Sequence, residues 1–205
     1  FIIQLHMAKN QIQTALDTAL QVLTMLGVHL EKEPPQLTLE SCYQLPEMTA
    51  PDKLAAMRML NFAISPAYTV APELFPQIVF TMVNLSVKYG NSSVSAYSYS
   101  NYGSLTNAIF GNTDVGYKMG LLAVCLLDKF AAKELKAKVL TANNVTITHW
   151  KKPARDTIAP LLEAMQSGLE MGDFEYVGIA AMHYGSYTFW LGEALDSVAE
   201  KLSKY

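Results

Sequence analysis

The sequence predicts an all-α fold, a solenoid of stacked helical hairpins. Three observations predict it. The stretch from Gly90 to Gly111, GNSSVSAYSYSNYGSLTNAIFG, is echoed from Gly172 to Gly192, GDFEYVGIAAMHYGSYTFWLG, at an offset of 172 − 90 = 82 residues. Asn91 then meets Asp173, Asn101 meets His183, Tyr102-Gly103-Ser104 meets Tyr184-Gly185-Ser186, and Thr106 meets Thr188. Second, apolar residues recur at helical rather than strand spacing. Third, Gly, Pro and Asn or Asp punctuate the chain where helices would stop and start. Tyr97 and Tyr99 alternate with serines like a strand, but the flanking caps and the repeat outvote that reading.

In order, 1–8 reads as the tail of a helix and Lys9-Asn10 as a turn. Gln11 to Leu26 is amphipathic, with Ile12, Leu16, Leu20 and Leu23 near helical spacing, and Gly27 ends it. Glu33-Pro34-Pro35 cannot continue a helix, so 28–50 reads as a connecting strap, with a short helix expected within Leu37 to Leu45. Thr49 is expected to cap a helix that carries Leu54, Met57, Leu60 and Ile64 and stops near Ser65-Pro66. A loop, Ala67 to Ala71, then leads to a helix over Pro72 to Tyr89.

Gly90 suits the left-handed residue that ends this helix, and Asn91 or Ser92 the cap of the first matched helix, about 92–110. Asn112 or Asp114 opens the next, which runs to Phe130. The second half repeats the order: helices over 133–148, 155–171, 173–191 and 193–205, with a turn at His149 to Pro153. The predicted organisation is the end of a hairpin (1–27), the strap (28–50) and two four-helix units (51–131 and 132–205). Gly103 and Gly185 stand mid-helix at matching positions. A glycine there costs about 1 kcal/mol relative to alanine, which predicts close approach of another helix at both.

The chain has 205 residues, half of them hydrophobic, and a net charge of −3. That predicts an ordered body, with no basic stripe for nucleic acid. The longest apolar run, Met119 to Leu127, is too short to cross a membrane. Phe1-Ile2-Ile3 has no basic start and no cleavage site, so no signal peptide is expected; lacking an initial Met, the chain reads as a fragment. Cys42 and Cys125 fit a reducing cytoplasm, Cys125 on an apolar face expected in the core and Cys42 nearer the surface. Three Asn-x-Ser/Thr triplets read as chance.

The motifs name no reaction. His6, His29, His149 and His183 show no metal spacing, and no phosphate loop, kinase constellation or GxSxG elbow is present. No catalytic, cofactor or metal residue is predicted. The aromatics offer the one binding hypothesis. Tyr97, Tyr102, Tyr184, Tyr187, Phe189 and Trp190 cluster on the two matched helices, where repeat proteins present a concave face, and Tyr97, Asn101, Tyr102, His183, Tyr184 and Tyr187 are the expected groove residues. Tyr102 and Tyr184 are the expected groove anchors; the remaining aromatics are expected mainly as packing between hairpins.

The residues also carry a likeness. Asp52-Lys53-Leu54-Ala55-Ala56-Met57-Arg58, Pro72-Glu73-Leu74-Phe75-Pro76, Val83-Asn84-Leu85-Ser86, Lys88-Tyr89-Gly90-Asn91 and Gly116-Tyr117-Lys118 form one part. Lys136-Ala137-Lys138-Val139, Gln166 to Asp173 and Glu175-Tyr176 form the other. Together, from Gln11 onward, they resemble the tetratricopeptide-like region of very large bacterial signalling proteins. In that family a serine/threonine kinase domain precedes a STAND/AAA-type ATPase and this region, often followed by a GAF sensor and a histidine kinase or cyclase. The resemblance implies a non-catalytic regulatory segment that binds a protein or peptide, or another domain of the same parent chain, and relays the event. It implies no cofactor of its own, no nucleic acid, no membrane, a cytoplasmic setting and scope for a homodimer. The alternatives are a small-molecule sensor pocket between helices and a passive spacer or self-association module.

Overall fold

The computed structural model describes residues 1–203, and among these the regular structure is helical, with no β-strand. The α-helices are α1 (Ile2–Ala8), α2 (Ile12–Met25), α3 (Leu39–Gln44), α4 (Pro51–Val70), α5 (Leu74–Tyr89) and α6 (Ser93–Phe110). They continue with α7 (Thr113–Lys129), α8 (Lys133–Thr146), α9 (Ile158–Met171), α10 (Phe174–Trp190) and α11 (Leu195–Leu202). Two 3₁₀ turns, Thr148–Trp150 and Ala154–Thr157, join α8 to α9. No helix of the described residues is long and apolar enough to cross a membrane. The chain forms two compact units, Phe1–Ser98 and the part from Tyr99 onward, and the division falls inside α6.

In the first unit α1 packs on α2, α2 on α4, and α4 on α5. Leu16, Leu23, Met57 and Leu60, on the apolar faces foreseen in the sequence, are buried there, and Ile78 and Met82 of α5 are buried with them. Burying each such side chain contributes roughly 1.5–3 kcal/mol. Residues 28–50 are tied to the same unit by hydrogen bonds. The Glu31 N–H donates to Thr81 Oγ1 (2.8 Å), Asn91 Nδ2 donates to the Cys42 carbonyl (2.9 Å), and a backbone bridge joins Glu47 to Asn91, whose carbonyl accepts from the Met48 N–H (2.8 Å) and whose N–H donates to the Pro46 carbonyl (2.7 Å). Gly90 lies at φ +101°, with the Pro46 carbonyl where a Cβ would stand, so a side chain is excluded twice over.

Two expectations are corrected at α4. Its N-cap is Ala50, with no side-chain bond, rather than Thr49; Pro51 at the first position needs no donor. The helix also does not stop at Pro66 but runs on to Val70, through the stretch expected as a loop. Pro66 removes one N–H from the ladder, yet Ala63, Ile64, Pro66 and Ala67 are all buried. Packing on that face outweighs the missing bond.

In the second unit α8, α9 and α10 pack in succession, α10 returns to touch α8, and α7 and α11 flank them. Leu140, Leu161, Ala164, Met165, Ala180, Tyr184 and Tyr187 form one buried cluster. Beside it a polar chain links three helices. Ser100 Oγ donates to Asn143 Oδ1 (2.7 Å), and Asn143 Nδ2 donates to the Gly120 carbonyl (2.9 Å). Asn112 caps α7 by accepting from the Val115 N–H (3.1 Å), and Asp173 caps α10 by accepting from the Tyr176 N–H (3.4 Å). Gly172 ends α9 in the left-handed conformation, φ +74°.

Both mid-helix glycines face a close neighbour. A Cβ on Gly103 would stand 2.7 Å from the Gly116 carbonyl oxygen, and one on Gly185 2.9 Å from the Leu202 methyls. The cysteines reverse their expected places: Cys42 is buried and Cys125 exposed. On α7 the buried stripe is Met119, Leu122, Ala123, Leu126 and Leu127. At about 100° per residue, Cys125 falls to one side of it. The last helix, expected over 193–205, is α11; Lys204 and Tyr205 lie outside the described residues.

Candidate functional site

A pocket of about 540 Å³ opens in the second unit, walled by the end of α8, the two 3₁₀ turns and one face of α10. From α10 come His183, Tyr187 and Trp190, with Leu191 just past its end; the last three stand four, seven and eight residues on from His183, which places them on one helical face. From the opposite wall come Val145, His149 and Ala154.

His149 is held in place by its own turn. α8 stops at Thr146, Ile147 is buried, and Thr148 Oγ1 donates to the Asn143 carbonyl (3.1 Å). Pro153 then stands as the N-cap of the second 3₁₀ turn. Across the pocket the Tyr187 hydroxyl donates to the Val145 carbonyl (3.2 Å), tying α10 to the end of α8. The same hydroxyl lies 3.5 Å from His149 Nδ1.

Aromatic rings follow one another around this point. Centroid separations are 5.4 Å for His149–Trp150, 6.2 Å for His149–Tyr187, 6.2 Å for His183–Tyr187 and 5.6 Å for Tyr187–Trp190. Interplanar angles of 36° to 65° give tilted and edge contacts, which suit ring quadrupoles. Tyr187 is buried, His149 and His183 are half-buried, and Trp190 stands 69% exposed at the rim.

Burial lowers the pKa of both imidazoles, an effect that a backbone hydrogen bond from His149 to Asn144 partly opposes. Burial also raises the Tyr187 phenol. In each case the low-dielectric surroundings disfavour the charged form. Near neutral pH the pocket therefore presents two uncharged imidazoles. Among the described residues no group of three or more His, Cys, Asp or Glu could hold a metal ion.

Of the residues expected in a groove, the structure brings His183 and Tyr187 to this pocket. Tyr97 (2% exposed), Asn101 (6%), Tyr102 (8%) and Tyr184 (4%) are buried and do not line it. The expectation that Tyr102 and Tyr184 anchor an open groove is corrected: both sit inside the packing, Tyr184 within the second unit's apolar cluster. His149, Val145, Ala154 and Leu191 were not foreseen as part of a site. No sequence spacing couples a residue in a turn to a helix face 34 positions on (183 − 149 = 34).

A second, smaller pocket of about 220 Å³ lies in the first unit, with Lys53 and Lys88 each 5.3 Å from the Tyr89 ring centre. Comparison with family models, curated proteins and solved structures finds no match.

Proposed function

We propose that this chain is a non-catalytic recognition segment, a tetratricopeptide-like helical repeat within a large multidomain signalling protein. Its parent would carry serine/threonine kinase, STAND-type ATPase and histidine kinase domains, and the segment would relay binding of a protein or peptide partner to them. The resemblance of the motifs from Asp52 to Tyr176 supports the parentage. The spacing of the helices supports the repeat. α4 and α8 begin at 51 and 133, α7 and α11 at 113 and 195, and α5 and α9 end at 89 and 171, each pair 82 apart; α6 and α10 begin at 93 and 174, 81 apart.

The single observation that carries the recognition reading is the aromatic pocket with an exposed tryptophan at its rim. Tyr and Trp are enriched among the residues that dominate the energetics of protein interfaces once a partner covers them. The test uses the immobilised chain and a variant with Trp190→Ala and His183→Ala, after circular dichroism has shown that the variant folds. Selective capture of a domain of the parent chain, or of one protein, by the unsubstituted chain supports the reading. Equal capture by both ends it for this pocket.

The second reading, a small-molecule sensor, is favoured by the pocket itself. Its volume lies within the ~300–1,000 Å³ typical of ligand sites, and a few polar groups converge on apolar walls. Ligand-induced protection of the His149 and His183 ring signals, without any protein partner, would favour this second reading.

A further inference from the structure

The pocket in the second unit has chemistry that selects among ligands, and this inference rests on its being a recognition site. Its lining residues are apolar, aromatic or imidazole, with no carboxylate or ammonium group. The neighbouring stretch exposes Lys151, Lys152, Arg155 and Asp156, so the surroundings of the pocket carry both signs and little net charge. Lys151 is paired with Asp114 (2.6 Å).

The hydrogen-bonding pattern is more specific. The Tyr187 proton is committed to the Val145 carbonyl, so its oxygen can offer His149 only a lone pair. The Tyr187 oxygen therefore calls for an N–H at His149 Nδ1. A neutral imidazole has one N–H, which leaves the other ring nitrogen as an acceptor. His183, on the facing helix, has no hydrogen-bond partner among the described residues and is only half-exposed. Two imidazoles with unmet acceptor capacity thus border a pocket walled by tilted rings.

We infer that this pocket takes an uncharged planar aromatic ring bearing an N–H or O–H donor, of the indole or phenol kind, with the ring against Tyr187 and Trp190 and the donor directed to His149 or His183. Such a ring can come from a free small molecule or from a tryptophan or tyrosine side chain of a partner. The chemistry is shared and the two sources are separable by experiment.

The test is a titration of the protein followed through the ring signals of His149 and His183 by carbon-13 correlation NMR. The probes are indole, N-methylindole, benzoate, benzylamine and the tripeptide Gly-Trp-Gly. Indole is expected to move both histidine signals and to bind about fivefold to tenfold more tightly than N-methylindole, the effect of about one hydrogen bond. Benzoate and benzylamine are expected to bind more weakly than either. A His149→Phe, His183→Phe variant keeps the rings and loses the acceptors, so the preference for indole should fall to near onefold while N-methylindole still binds. Tighter binding of the tripeptide than of indole assigns the ring to a partner; the reverse assigns it to a small molecule.

Equal binding of indole and N-methylindole by the unsubstituted protein, a comparison that needs no variant, overturns the inference. So does the absence of any shift at millimolar indole. Either result leaves the recognition reading to stand or fall on the separate capture experiment with Trp190→Ala and His183→Ala.

Discussion

Gly103 and Gly185 are equivalent by sequence but not by surroundings. A methyl group on Gly103 would press on the Gly116 carbonyl, part of a backbone that cannot step aside without moving a helix. One on Gly185 would meet the end of the Leu202 side chain, which is 38% exposed and can turn away. Alanine in a helix gains about 1 kcal/mol over glycine, and overpacking costs about 1–3 kcal/mol. Gly103→Ala is therefore expected to lower the denaturant midpoint, with a net loss of up to about 2 kcal/mol. Gly185→Ala is expected to leave it within about 0.5 kcal/mol of the parent. A greater loss at Gly185 than at Gly103 would contradict this ranking. The larger Gly185→Leu substitution fills space that Leu202 cannot vacate and should destabilise more than any exposed change.

Single residues were also where the sequence was least legible. Tyr102 and Tyr184 looked like binding groups because tyrosine serves equally well in a core and at an interface; only packing tells the two apart. The cysteines misled for a related reason. Leu121, Val124 and Cys125 extend the apolar character of α7 around its circumference, so composition did not mark which stripe would be buried. His149 gave no signal, because its place opposite His183 depends on how the chain turns between α8 and α9.

Elements were read more faithfully, because caps and apolar period act locally. Asn112, proposed from sequence as a start signal, does accept the Val115 N–H. Asn112→Ala is expected to cost about 1 kcal/mol and Asn112→Asp close to nothing, measured by urea unfolding. If alanine were neutral, the cap would hold no helix end that matters to stability. The α4 boundary shows the limit of local reading. Proline is a stop signal by its own geometry, but Pro66 lies on a buried face whose neighbours keep the helix going. Tertiary burial overrode a local rule, and no window of sequence around Pro66 displays the surfaces it packs against.

For the molecule as a whole, the imidazoles set a pH dependence. His149 and His183 have pKa values below the ordinary 6.5 in the folded state. The unfolded chain therefore binds protons that the folded chain resists. Stability is fully present above about pH 6.5 and falls as pH drops toward the lowered folded values, where the loss levels off. Tyr187 acts at the other end. Its raised pKa keeps the folded phenol protonated when the unfolded one ionises, so stability also falls as pH rises past about 10. Melting temperatures from pH 7.5 to 5 should decline for the parent and decline less for a His149→Gln, His183→Gln variant. Identical slopes would remove these two histidines from the acid response. The all-α class itself was plain from the apolar period, since helices of this length need an apolar face to be stable. The pocket was not, since it is assembled from a turn and a helix far apart in sequence.

The reversed cysteines give the protein a built-in chemical clock. A thiol reagent added to the native chain should consume one equivalent quickly at exposed Cys125 and reach buried Cys42 only when its surroundings open. Because 28–50 is tied down by Glu31, Met48 and Asn91, the slow second equivalent times how often that covering lifts. A Cys125→Ser variant would isolate the slow phase, and Thr81→Val, which deletes one tie, should quicken it.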